Sequence, residues 1–440
     1  MSARTRAGLR LPRFRATTAQ LCSFYPFQVS SGLGGRGAFL GSDLTAGGDA
    51  FCYDPFELYG TVLTNPNMLI LGEPGSGKST CVKTFLYRTV GLLPADPRHR
   101  RWVAICDPKG EYSDLAAVLG LDVVKLYPGG VHRLNPLDPG PGGSEFGAPE
   151  VTSRRATMVA ALLEGILGRD LSPIEDATIG WLCAELSRRP ETADPTTLAD
   201  AAALLASPTG WMADQANTTP AALAQHVEAC RFSLGKLLDR DLRGMFDGPS
   251  TIRPDWDGRG IVLDLSALHG DAGLGLVMIA ATAWLQTLMA APAGPTTPQR
   301  MQVIDEAWAL LGNERTARYL QACWKLCRSY GVANIAVAHR ISDLRSQADD
   351  GTATAKVAMG LLADTQTRVL FSQSTDQMEE TKAMLGLTER EAWLLPQLEQ
   401  GTALWKVAGR TAIVAHVVAP GEIAFCDTDQ RFRGDDHVGA

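Results

Sequence analysis

One octapeptide constrains this chain more than any other stretch: Gly72-Glu73-Pro74-Gly75-Ser76-Gly77-Lys78-Ser79. The apolar run Met68-Leu69-Ile70-Leu71 leads into it, and a helical pattern follows over 79–90. Glycines let backbone N–H groups turn inward around an anion, and the helix behind them aims its positive end at the same point. Such a loop works only between a strand and a helix, so this part of the chain is α/β. Gly72, Glu73, Pro74, Gly75, Ser76 and Gly77 form a phosphate cradle. Lys78 is placed to reach the β- and γ-phosphates of a nucleotide and Ser79 to ligate Mg2+, with Thr80 a polar neighbour of less defined duty. ATP and Mg2+ are the cofactors this implies.

Strand and helix patterns alternate from about residue 46. The run 102–106 is a buried strand ending at Asp107, Ser113–Leu119 a short helix, and 123–126 another strand. A Pro/Gly-rich break at 136–149 precedes about a hundred residues without a good strand. There, apolar residues recur at helical spacing over 156–167, 174–186, 198–205 and 221–238. Strand patterns return at 261–265, 301–304, 334–338 and 368–371, and 403–407 and 412–418 flank Gly409-Arg410 as a hairpin. The expected fold is α/β, with a mainly parallel sheet covered on both faces, an all-helical insertion and a C-terminal β-hairpin. The expected division is a basic, Gly-rich segment over 1–45, core over 46–145, insertion over 146–250, core over 251–425 and a charged tail over 426–440. Gly32 to Gly37 fits a dinucleotide fingerprint on paper, but no helix pattern follows it.

The 440 residues are 45% apolar, enough for a large core, and 41 basic against 48 acidic residues give a net charge of −7. That balance argues against a chain coated in positive charge and leaves room for a local basic patch. Nine cysteines are scattered without a Cys-x-x-Cys pair. Cys323 and Cys327 share a helical pattern without a His at zinc spacing, which reads as reduced thiols. Arg4, Arg6, Arg10, Arg13 and Arg15 are not followed by an apolar run of signal type. The uncharged stretch 272–291 is long enough for a bilayer, yet it lies between two strands of the expected sheet and reads as a buried core helix, not a membrane span.

A second motif completes the first. Met301-Gln302-Val303-Ile304-Asp305-Glu306 carries carboxylates to the end of an apolar strand. There Asp305 can hold Mg2+ through its water shell, and Glu306 can polarise an attacking water as general base. An Asp capping the next helix is the structural alternative. In Asp107-Pro108-Lys109-Gly110-Glu111-Tyr112, Asp107 and Glu111 are candidates for the Mg2+ or water shell, with Glu111 the second choice for general base; a turn capping the Ser113 helix is the alternative. His339 and Arg340 end another core strand, as γ-phosphate sensors or structural residues. Arg328 is placed to reach a neighbouring subunit's site if subunits form a ring.

The order of these motifs, with Asn135-Pro136-Leu137, Ile304-Asp305-Glu306-Ala307-Trp308 and Ile341-Ser342-Asp343-Leu344, resembles the conjugation and type IV secretion ATPases of the HerA–FtsK superfamily. It is most similar to the group whose second carboxylate motif reads Asp-Glu-Ala-Trp. The resemblance runs from about Asp54 to near Val418. It implies a RecA-like P-loop NTPase working as a hexameric ring, a homo-oligomer at the cytoplasmic face of a membrane. Such a ring docks on secretion or conjugation channel proteins, has DNA or protein as its cargo, and has no transmembrane segment of its own. By position it gives Lys78 and Ser79 to nucleotide and Mg2+, makes Asp305 and Glu306 the second carboxylate motif and Arg328 the trans-acting arginine. Two other classes stay open: a DNA translocase or helicase sharing this core, and a nucleotide-bound scaffold without turnover. The insertion is not rich in Lys or Arg, which leans against a DNA grip there. An ABC-type ATPase is disfavoured because no Leu-Ser-Gly-Gly-Gln occurs.

Overall fold

The computed structural model describes residues 32–93, 99–139, 148–188, 195–240, 242–268, 273–289, 297–311, 317–318, 320–321, 324–325, 327, 330–339, 360–361 and 365–426. Within them the strands are β1 Ala38–Asp43, β2 Asp49–Tyr53, β3 Met68–Leu71, β4 Arg101–Asp107, β5 Asp122–Lys125, β6 Gly260–Asp264, β7 Gln299–Ile304, β8 Val332–Ala338, β9 Thr367–Leu370, β10 Thr402–Val407 and β11 Arg410–His416. They join in one sheet of order β2-β1-β11-β10-β9-β3-β8-β7-β4-β6-β5. From β9 to β5 every pairing is parallel. From β9 back to β2 every pairing is antiparallel. The fold is α/β with a mostly parallel sheet, as the strand–helix alternation predicts.

Apart from the edge strand β5, which is mostly exposed, the parallel strands are largely apolar because both of their faces are covered. Leu69, Leu71, Trp102, Ala104 and Cys106 join one core, while Met68, Ile70, Val103 and Ile105 join the other. Helix Leu274–Met289 lies on the first face and is buried from Val277 onward. That explains the charge-free stretch, and among the described residues no helix is long and apolar enough to cross a membrane. The second face carries the helices Lys78–Leu86 and Ser113–Leu119.

The described elements of the insertion are all helices. Ala148–Leu167 packs on Pro173–Ser187 and on Leu274–Met289. Ser172 and Glu175 form a capping box at the start of Pro173–Ser187. Asn135 is fully buried at the root of the insertion, where its side-chain amide donates to Thr196 O at 2.8 Å and Asp138 Oδ1 at 2.9 Å. Asn135 therefore ties the chain just before the insertion to Thr196 within it.

Three differences from the sequence expectation stand out. The 221–238 pattern is two helices, Pro220–His226 and Glu228–Asp239, broken at Val227, whose φ of −106° and ψ of 14° leave the helical region. Gly210–Gln215 is a further short helix. The sheet also takes in β1 and β2, whose residues show no clean alternation. Gly41 must be glycine there, because a Cβ would stand 2.0 Å from Ala415 O on β11.

Candidate active site

Register alone assembles the site. Leu71 pairs with Ala338 and Leu370, and Ile304 with Ala336 and Cys106. The carboxyl ends of β3, β8, β7 and β4 therefore reach one edge, where open α/β sheets hold ligands. One residue further on, Gly72 N donates to His339 O at 3.3 Å and Asp305 N to Cys106 O at 3.2 Å.

The phosphate loop is preformed. Ser76 Oγ donates to Glu73 O at 2.7 Å. Gly77, at φ 110°, precedes the helix Lys78–Leu86, and a Cβ on it would come 3.2 Å from Gly401 Cα. That φ favours glycine and the close backbone leaves little room for more. Lys78 Nζ donates to Gly72 O at 2.6 Å and Glu73 O at 2.8 Å. Burial pulls its ammonium down to about 8, against the attraction of Asp305.

Asp305 and Glu306 leave β7 into the same space, both 5% exposed. Burial pushes the Asp305 carboxyl up to about 7, and the nearby charges of Glu306 and Glu111 push it the same way. Burial would raise Glu306 too, but hydrogen bonds from His339 and Lys109 overcome it and hold that carboxyl at about 2. His339 Nε2 lies 2.7 Å from Glu306 Oε1, and Lys109 pairs with the same oxygen. The Glu306 backbone stands at φ 51°, a left-handed conformation that costs a non-glycine about 1–3 kcal/mol. Strain of this kind persists where the surroundings dictate the side chain's direction.

Asp107 and Glu111 take different positions. The fully buried Asp107 accepts backbone hydrogen bonds from Lys109, Gly110, Glu111 and Tyr112 at 2.8–3.2 Å. Its carboxylate is engaged in the turn, the capping alternative named for this motif. Glu111 lines an open cleft of about 480 Å³ together with Lys78, Ser79, Thr80, Lys109 and His339. Arg328 and Arg340 lie outside the described residues.

The donor set fits Mg2+. Ser79 offers a hydroxyl at the cleft, and the carboxylates of Asp305, Glu306 and Glu111 gather about one lysine, a hard-oxygen environment whose mutual repulsion a divalent cation relieves. Among the described residues no group of three or more His, Cys, Asp or Glu side chains could hold a metal by itself. A nucleotide-borne Mg2+ uses few protein ligands and does not need such a cage.

Sequence reasoning singled out His339 but not its part in bracing the site, and it did not find the other bracing residues. Lys109 and His339 hold Glu306 from two other strand ends. Gly401 N donates to Ser76 O at 3.0 Å, and Gln400 Nε2 to Gly75 O at 2.9 Å, so the start of the C-terminal hairpin clamps the loop. His416 backs that clamp: its Nδ1 is 2.9 Å from Gly401 O, and its Nε2 accepts from Trp405 Nε1 at 3.1 Å. The hairpin pattern was a signal for these strands but not for this contact.

No family model matches the chain, and no curated protein sequence matches it. Solved structures do. VirB4 of Thermoanaerobacter pseudethanolicus superposes with a TM-score of 0.69 over 89% of this chain and 98% of that one, at 20% identity. This chain has the VirB4 fold. The bacterial conjugative coupling protein TrwB shares it less closely. Bound to the ATP analogue ADPNP, TrwB superposes at a TM-score of 0.55 over 80% of this chain and 85% of its own, at 19% identity. Bound to ADP and Mg2+ it superposes at 0.54.

Proposed function

We propose that this chain is an ATP-hydrolysing motor that powers substrate transfer or channel assembly in a conjugation or type IV secretion machine. One observation carries the reading: a preformed phosphate loop at the end of β3 and a strained Glu306 beside Asp305 at the end of β7 flank β8 at one edge of a VirB4-like sheet. TrwB, a conjugative coupling protein with the same fold, has been solved with an ATP analogue and with ADP and Mg2+, which supports the same ligands here.

In this reading Gly72 to Ser79 hold the triphosphate, and Lys78 exchanges its two loop carbonyls for β- and γ-phosphate oxygens. Ser79 and Asp305 would hold Mg2+, which when bound would supply neutralisation of charge on the phosphate oxygens. A water oxygen bonds to the γ-phosphorus, the bond to the ADP oxygen breaks, and Glu306 takes the water's proton. Glu306 is ionised, so it can accept that proton, but His339 and Lys109 hold it in place. A γ-phosphate offers both donors other oxygens to turn to, which frees Glu306 and restores its basicity. Glu111, on the cleft wall, is the second candidate for the base. Arg328, carried over from the family pattern, acts across subunits of a hexameric ring docked on channel proteins at the inner membrane face, with DNA or protein as cargo.

Lys78→Ala tests the phosphate site. Loss of tight ATP binding in equilibrium titration is expected, and unchanged affinity would show that the loop does not hold the nucleotide.

A further inference from the structure

A nucleoside triphosphate has one flat apolar part, its base, and the cleft has one apolar wall. Apart from Pro74 in the loop, the apolar residues lining it are Val418, Ile423 and Cys426. All three belong to the segment after β11, where the chain turns back over the phosphate-loop helix and ends in the short helix Ile423–Cys426. The polar groups that would meet the γ-phosphate are Lys78, Lys109, His339 and Glu306. Thr80, next to Ser79, lines the same cleft as the apolar wall, so the rest of a nucleotide held there has that wall to lie against.

The segment is held firmly in place. Arg88, from the continuation of the phosphate-loop helix, donates through Nε to Glu422 Oε1 at 2.7 Å and through Nη2 to Val417 O at 2.7 Å. Nη1 of the same guanidinium donates to Phe39 O on β1. Arg88 is thus a positioning residue that fixes the neighbours of Val418 and Ile423 against the helix that holds the phosphates. The Phe425 ring lies 5.0 Å from that of Tyr87 and adds an apolar anchor. Anchored this way, Ile423 nevertheless leaves 54% of its surface exposed on the cleft wall. A large aliphatic side chain on a rigid support, open to a ligand cleft, is a ready contact for an aromatic ring face.

We propose that Ile423, with Val418 and Cys426 beside it, is the base-binding wall of the nucleotide site. This rests on the phosphate-loop reading above. The wall meets the face of the base and not its hydrogen-bonding edge, so adenine and guanine nucleotides bind within about tenfold of each other.

The test is calorimetric titration of the full chain and of Ile423→Asn with Mg-ATP, Mg-GTP and Mg-tripolyphosphate, which has the phosphates but no base. Ile423 is half exposed, so the substitution leaves the core intact. Ile423→Asn is expected to bind ATP and GTP about tenfold more weakly, the size of losing one aliphatic contact, with tripolyphosphate within twofold of the unaltered protein. Equal weakening of all three, or of none, would overturn the base wall while leaving the phosphate loop standing. If the unaltered chain binds neither ATP nor tripolyphosphate, the phosphate site is absent and the wall falls with it. Photolabelling with 8-azido-ATP gives a second readout. Label is expected within 418–426, and label confined to other segments would overturn the assignment.

Discussion

As the proposed general base, Glu306 faces two requirements at once, to be ionised when a water must lose its proton and to be free to approach that water. His339 and Lys109 secure the first and withhold the second. The same balance of burial against hydrogen bonding governs His416, away from the reacting groups. Burial pushes its imidazole down to about 4; the Gly401 carbonyl opposes that shift and the Arg88 charge adds to it. Above its ordinary value of 6.5 the ring is neutral in both folded and unfolded chain, so it adds no pH dependence there. As pH falls from 6.5 to 4 the unfolded chain takes up a proton that the folded one refuses, and stability drops, by at most about 3 kcal/mol at 1.36 kcal/mol per unit. Denaturation midpoints at pH 7.5 and 5 should show this fall. His416→Gln should be less stable at pH 7.5, because the bonds to Gly401 and Trp405 are disturbed, and should lose part of the fall. A fall as steep as in the unaltered protein would contradict the assignment.

At the scale of elements, what the sequence revealed follows from burial. All of β3 to β9 except the exposed edge strand β5 stand out because parallel strands covered on both faces become largely apolar runs, and Ser113–Leu119 is helical over the span the pattern predicts. The antiparallel β1 and β2 do not stand out, because half-exposed strands carrying Gly41 and Asp49 look like loop. The 221–238 pattern hides its break because apolar spacing carries on through Val227. Within the site, Gly72 to Ser79 and Asp305-Glu306 were legible as local motifs. The brace of Lys109 and His339 on Glu306 was not, since those residues lie 230 positions apart and meet only through sheet order. Asp107 shows a third limit: an Asp ending a strand suits metal shell or turn equally, and only four converging N–H groups decide for the turn.

For the molecule as a whole, the sheet divides labour. Its parallel half carries the motifs, and its antiparallel half sends Gln400, Gly401 and the 418–426 segment back over the nucleotide cleft. A motor of the proposed kind must also couple neighbouring sites. In ATP the chain is expected to have the mass of a hexamer. Mixing Arg328→Ala subunits with Lys78→Ala subunits should restore part of the ATPase activity at interfaces pairing an intact loop with an intact arginine; no recovery would confine Arg328 to its own chain. The most direct measurement is Glu306→Gln, with ATP affinity and turnover determined on one preparation. Affinity close to that of the unaltered protein with turnover lower by about 10²-fold or more is expected if Glu306 is the general base. Turnover at the unaltered rate would contradict that role and move it to Glu111.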